Sequence, residues 1–335
     1  MDLTTVADDE VILHAGVDVH RHNGLSPDTS YRFDGHDVRT LPRPGGELLT
    51  TFCTVNDVHF GEIECGILDG LEGGPVYRSA PGDEPYPALM NRCAIADMAR
   101  TGPEVVVVKG DLTSAGTRDE YQDFLDAYLP AFGERLMHVR GNHDAYHGED
   151  FASDAPIART LPGVIVALID TSIPHMASGG VSAETLDWLD ALAADADRPV
   201  LVFGHHHPWN PDSAERPEGY FGINPEDSER LVALIARRPR ICGYFAGHTH
   251  RNRVRRFRAT GGVPYVEVAC VKDFPGAWAE YRVFEGGILQ IFRRISAPEA
   301  LAWSEKTRDM YAGLYDAYAF GDLGDRCFVI SPRPL

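Results

Sequence analysis

Seven short stretches of the chain are dominated by apolar and β-branched side chains: residues 48–55, 105–109, 136–139, 164–169, 200–203, 241–246 and 265–270. Most are continuous apolar runs and not alternating ones, the pattern of strands covered on both faces, which predicts a layered α/β protein. Helical periodicity falls between them. Thr117 and Glu120 form a capping-box signature, and Tyr121, Phe124, Leu125, Tyr128 and Leu129 follow at helical spacing, so a helix is predicted there. Similar spacing at Leu89, Cys93 and Ala96, at Leu186, Leu189 and Ala193, and at Leu231, Leu234 and Ile235 predicts three more. The last has Asn224 as its cap and Pro225 at its first position, where a missing N–H costs nothing.

The two ends read differently. Residues 1–47 are rich in Asp, Gly and Pro with short β-like pieces such as 11–14, which predicts a small N-terminal β appendage. Residues 48–295 carry the strand–helix alternation. Residues 296–335 read as a C-terminal helical tail with Tyr311, Leu314, Tyr315 and Tyr318 on one side, closing on an extended segment at 326–330. That stripe is expected to pack on the core.

Composition narrows the function classes. In 335 residues, 44% apolar and 24% charged is ordinary globular usage. The net charge of −19 repels polyanions, so a nucleic-acid partner is not expected and an anionic substrate must be drawn in locally. The first residues lack a basic segment followed by an apolar one, and no apolar run reaches the roughly 18 residues of a span, so a cytoplasmic protein without a membrane partner is expected. Six cysteines without C-x-x-C spacing point to small core residues, among them Cys53, Cys242 and Cys270.

The predicted strands end repeatedly in metal-ligand residue types: Asp57-Val-His59, Gly110-Asp111, Gly141-Asn142-His143-Asp144, His205-His206-His207-Pro208 and Gly247-His248-Thr249-His250. Ligand sites in open α/β sheets lie outside the carboxyl ends of strands, so clusters far apart in sequence converge there. The glycines allow tight turns and close backbone approach beside the ligands. Carboxylate, imidazole and amide donors without thiolate suit Mn, Fe or Zn better than Ca.

In that order, D-x-H, G-D, G-N-H-D, H-x-P and G-H-x-H resemble the calcineurin-like metallophosphoesterase superfamily, over roughly residues 50–270. The resemblance implies a two-sheet β-sandwich flanked by helices and a centre of two transition-metal ions. One ion would be held by Asp57, His59 and His250 and the other by Asn142, His206 and His248, with Asp111 bridging; the H-x-P spacing selects His206 over His205 and His207. It further implies hydrolysis of a phosphate ester by a metal-bridging hydroxide, with His143 protonating the leaving oxygen and Asp144 orienting its ring. Asp18-Val-His20 repeats the first motif but lies in the appendage.

Within the superfamily, Ser114 stands where purple acid phosphatases have a tyrosine ligand, and where its protein phosphatases carry an arginine close to the aspartate and a GNHE motif, residues 110–114 supply no arginine and the fourth position is Asp144. The short spacing and the His-His-Pro element resemble bacterial class III cyclic nucleotide phosphodiesterases and their glycerophosphodiesterase relatives, which implies a small phosphodiester as substrate. A phosphomonoesterase and a metal-binding scaffold without hydrolysis are the alternatives. Specificity is expected from loops 60–87, 209–223 and 272–277, whose Tyr77, Tyr86, Trp209, Tyr220, Phe221 and Phe274, with nearby Trp278, are candidates to stack on a base, and whose Glu62, Glu64 and Asp69 are candidates for the rim. His147 and Arg251 adjoin ligand motifs and could contact phosphate.

Overall fold

The seven apolar stretches become strands of two six-stranded sheets that face each other, six of them inner strands and one an edge, in a computed structural model that describes residues 1–67 and 74–334. The chain opens with β1 (Asp2–Val6), β2 (Glu10–Ala15), β3 (Asp18–Asn23), β4 (Ser30–Phe33) and β5 (His36–Arg39). The first three form an antiparallel sheet and the last two a separate ribbon. Then follow β6 (Leu48–Val55), α1 (Tyr86–Arg100), β7 (Val106–Lys109), α2 (Arg118–Phe132), β8 (Leu136–Val139) and the one-turn α3 (Asn142–Ala145). The middle holds β9 (Ile157–Leu161), β10 (Val164–Leu168), α4 (Ala183–Asp195), β11 (Val200–Phe203), α5 (Pro225–Arg237), β12 (Ile241–Ala246), β13 (Arg253–Arg256) and β14 (Pro264–Glu267). The chain ends with β15 (Ala277–Phe284), β16 (Gly287–Arg294), α6 (Pro298–Thr307), α7 (Tyr315–Phe320), α8 (Leu323–Arg326) and β17 (Phe328–Ile330).

One sheet runs β17-β16-β15-β6-β7-β8 and the other β13-β14-β12-β11-β10-β9. β6, β7 and β8 are mutually parallel, as are β10, β11, β12 and β14, so their carboxyl ends gather by sheet. Between the sheets lies an apolar layer that includes Phe52, Phe203, Phe245 and Tyr281; the Phe52 and Tyr281 rings stack with centroids 4.5 Å apart. The outer face of the first sheet is covered by α1, α2 and α6, and that of the second by α4 and α5. The capping signals act as their residues predict. Thr117 accepts from the Glu120 N–H while Glu120 reaches back to the Thr117 N–H, and Asn224 accepts from the Asp227 N–H.

All seven predicted strands and the four predicted helices form, with ends shifted by up to three residues. The β15–β16 hairpin was not foreseen, because Glu280, Arg282, Arg293 and Arg294 interrupt its apolar pattern. Those charges are nonetheless buried or nearly so. Arg293 donates two hydrogen bonds to Glu280 Oε2 at 2.9 and 2.7 Å, and Arg282 donates to Glu280 Oε1 at 2.7 Å. Mutual satisfaction is what allows a charge inside a layer.

Both ends of the chain are built into these layers. β17 pairs with β16 at the sheet edge, and Trp303 of α6 stacks on Tyr86 of α1 with centroids 4.4 Å apart. At the other end, Thr5 donates to the Phe292 carbonyl at 2.9 Å, Arg282 reaches Asp8 and Asp9 at 3.0 and 2.8 Å, and Arg293 pairs with Glu10. Among the described residues no helix is long and apolar enough to cross a membrane.

Candidate metal centre

Five strands deliver the motifs to one end of the sandwich. Asp57 and His59 follow β6, Asp111 follows β7, and Asn142 follows β8, all from the first sheet; His205 and His206 follow β11, and His248 and His250 follow β12, from the second. The two sheets therefore contribute opposite walls of a single site. Hydrogen bonds from the Val58 and His59 N–H groups to the Asp111 carbonyl, at 3.0 and 2.9 Å, lock the first two loops together. Close approach is also enforced by glycine. A Cβ at Gly141 would collide with the Asp111 carboxylate, and one at Gly247 would lie 2.7 Å from Asp57 Oδ2.

Asp57, His59, Asp111, His248 and His250 all have positive φ, between 47° and 66°. Non-glycine residues adopt that conformation at a cost, and such outliers gather at functional sites where the surroundings over-determine them.

The side chains converge as four overlapping groups whose ligand atoms lie within 4.8 Å of one another: Asp57, His59 and His250; His59, Asp111 and His143; Asp57, Asp111 and His205; and His205, His206 and His248. His250 Nε2 is 3.4 Å from Asp57 Oδ1, and His59 Nε2 is 3.5 Å from Asp111 Oδ2. Both ring nitrogens of His59 and Nε2 of His206 are buried without a hydrogen-bond partner. Buried polar atoms are normally paired, so orphaned imidazole nitrogens facing carboxylates fit a cation.

The charges of the side chains point the same way. Burial works against both aspartates, but His250 holds Asp57 below the usual carboxylate range, and His205 and His143 hold Asp111 well below it. His205 is buried too, yet Asp111 holds it up at about 9; its two ring nitrogens face the Lys109 carbonyl at 2.8 Å and Asn142 Oδ1 at 3.1 Å, both acceptors. His250 is drawn well above its ordinary value by Cys270 and Asp57 despite burial, whereas burial pushes His59 and His206 well down and His248 down to about 3. Imidazolium protons thus occupy the place that suits metal charge, and metal binding would release them.

One detail corrects the sequence reading and a second adds to it. Asp144 does not touch the His143 ring; its oxygens accept from the Leu112, Thr113 and Gly141 N–H groups at 2.8–3.0 Å and from the Thr113 hydroxyl at 2.6 Å. A carboxylate buried under that many donors ties the β7 and β8 loops together, and burial with Asp111 beside it pushes it up to about 6. The His143 ring is fixed instead by the Ser114 carbonyl, 2.6 Å from Nδ1. Second, His205, which the motif spacing passed over, presents Nε2 to Asp111 Oδ2 at 3.3 Å, while His206 is held through Nδ1 by the Thr171 hydroxyl at 2.9 Å. No motif marks Thr171.

Other candidates lie elsewhere. His20 faces Asp34 in the appendage at 3.3 Å, His147 is exposed, and Arg251 is tied to Glu267 at 2.9 Å. Tyr86, Trp209, Phe274 and Trp278 are core residues, and loop 272–277 is buried throughout. Phe221 is different, being 58% exposed with its ring stacked 4.1 Å from His248, whose Nε2 lies 2.7 Å from the Phe221 carbonyl. Glu62 pairs with Lys272 at 2.7 Å and Glu64 with Arg78, and Asp69 lies outside the described residues.

Comparison with known proteins places this geometry. A glycerophosphodiester phosphodiesterase of Enterobacter lignolyticus is 32% identical over 181 residues, 48% of this chain and 60% of that enzyme, so the match spans somewhat over half of that relative's length. A 3′,5′-cyclic-nucleotide phosphodiesterase of a Nostoc species is 25% identical over 61% of this chain and 73% of its own. A dimetal phosphatase from Danio rerio shares the fold with a TM-score of 0.57 at 16% identity, over 85% of this chain and 100% of that one. A purple acid phosphatase from yellow lupin does so at 0.50 and 15% identity, over 84% of this chain and 60% of its own. The sequence profile of the calcineurin-like phosphoesterases matches residues 50–252, more than half of the chain and every motif of the metal centre, and the chain belongs to the calcineurin-like phosphoesterase family.

Proposed function

We propose that this chain is a two-cation phosphoesterase that hydrolyses a small phosphodiester of the cyclic-nucleotide or glycerophosphodiester type. The observation that carries the proposal is the cluster of Asp57, Asp111 and five histidines at one end of the sandwich, in which His59 and His206 keep buried ring nitrogens without a hydrogen-bond partner. Asp57, His59 and His250 would hold one cation and Asn142, His206 and His248 the other, with Asp111 between the two sets and His205 a further donor beside Asp111. When bound, Mn, Fe or Zn ions supply Lewis-acid polarisation of phosphoryl oxygens and a water of lowered pKa.

The chain's own residues do the rest. Ser114 accepts the Nδ1 proton of His143, which leaves Nε2 as the atom that carries a proton to the departing oxygen. Asp144 holds the loop beneath it. Phe221, exposed beside His248, offers a flat apolar face to the group leaving phosphorus. The activities for which these relatives are named, a glycerophosphodiester and a cyclic-nucleotide phosphodiesterase, favour a diester, as does the net charge of −19, which penalises a dianionic monoester more than a monoanionic diester.

Mn-reconstituted protein assayed with a chromogenic bis-ester and the matching monoester tests this. The bis-ester should turn over faster. A faster monoester rate would assign a phosphomonoesterase, and no turnover of either ester by protein that retains its metal would assign a scaffold.

A further inference from the structure

We propose that Cys270, Asp273 and His250 form a separate binding site for one thiophilic cation, of the Zn or Cd class, which competes with the metal centre for His250. The ligand atoms of the three residues lie within 4.8 Å of one another. Cys270 Sγ donates to Asp273 Oδ1 at 2.8 Å, and the Tyr315 hydroxyl donates to the same oxygen at 2.6 Å while standing 3.6 Å from the sulfur. Four donors of different kinds are therefore collected around one point, three of them on fully buried residues and the fourth on a histidine whose side chain keeps 23% exposure. That opening is the route for an ion.

Thiolate, carboxylate and imidazole together are a zinc-type donor set. The principal cluster offers only nitrogen and oxygen, so the sulfur makes the Cys270 site the one that prefers soft cations. Binding exchanges the thiol proton for the metal: the S–H bond breaks, the proton leaves to solvent, and the S–M bond forms with no change of oxidation state. Cys270 thiolate and Asp273 carboxylate then balance the two positive charges. Lys272, 3.2 Å from Asp273, keeps its second partner in Glu62 at 2.7 Å.

His250 belongs both to this group and to the Asp57–His59 group, so an ion bound at Cys270 draws on a ligand that the first catalytic cation needs. The inhibitory consequence rests on the two-cation reading above; the existence of the site does not.

The test is a Cd titration of Mn-loaded wild-type protein and of Cys270→Ser, read by thiolate-to-cadmium ultraviolet absorption and by diesterase rate. One equivalent should produce the absorption band in the wild type and none in the serine variant, and half-inhibition should require at least tenfold less Cd in the wild type. Asp273→Asn should weaken the band's titration about tenfold with the thiol retained. A wild type without the band, or a band that survives Cys270→Ser, overturns the site. A band with equal inhibition of both proteins overturns the competition for His250. If no ester is turned over at all, the absorption alone still decides the site.

Discussion

His143 has its ring set by the Ser114 carbonyl, while its backbone N–H is held by Asp111 Oδ1 at 2.9 Å. His143→Ala should lower kcat by about 10²- to 10⁴-fold, the usual worth of a general acid. Metal content measured by atomic absorption should stay near wild type, and parallel loss of metal would make the residue a ligand. At this scale the aspartates and the outer histidines were legible, because each motif combines a ligand with the turn residue that exposes it. The partners of His143 were not. Which group orients a ring depends on loop dihedrals, and the left-handed backbone at Asp57, Asp111 and His248 has no signature in residues that ordinarily avoid it. The His205-His206-His207 run posed the same difficulty, since all three side chains are buried and only the turn after β11 brings His205 and His206 together with His248.

Continuous apolar strands and capped helices were readable because a single local cause specifies each. The edge of the second sheet depends on charges that only pairing makes tolerable. Glu267, the last residue of β14, is buried at 1% exposure between Arg251 and Arg255, at 2.9 and 3.4 Å. Burial alone would raise its carboxyl, but His207 and the two guanidinium groups outweigh burial and bring it down to about 2. Because the folded value lies below that of the unfolded chain, its stabilisation is complete above the ordinary Glu range and is lost as pH falls towards 2. Glu267→Gln should therefore cost on the order of 3 kcal/mol at neutral pH by leaving two arginines without their counter-charge. Urea midpoints at pH 7 and pH 3 check this: the gap between variant and wild type should narrow in acid, and a gap independent of pH would exclude charge as the cause. The β15–β16 hairpin escaped the sequence reading for the same reason, as Glu280 and Arg293 look like surface residues until their partners are known.

For the whole molecule, the layered α/β plan followed from the apolar runs, but the attachment of the two ends did not, because it rests on contacts between residues nearly 300 positions apart. Asp8, Asp9 and Glu10 meet Arg282 and Arg293 across that distance. A chain lacking residues 1–40 should lose on the order of 4 kcal/mol, the cost of stranding buried cations, with a matching drop in the urea midpoint. An unchanged midpoint would show that the N-terminal strands are passengers. The metal centre has a mechanical role at this scale as well. Since Asp57, Asp111 and Asn142 hang from one sheet while His206, His248 and His250 hang from the other, each ion of the proposed centre would be a stitch between halves of the sandwich, added to an apolar layer and a few polar bonds such as that from Lys109 Nζ to the Ala246 carbonyl at 2.9 Å. Ligation at a hundredfold excess over Kd adds about 2.7 kcal/mol per site to the folded state. Stripping the ions with a chelator should unfasten that seam, and amide exchange should quicken at the carboxyl ends of β6, β7, β11 and β12 together while the far end of the sandwich stays closed.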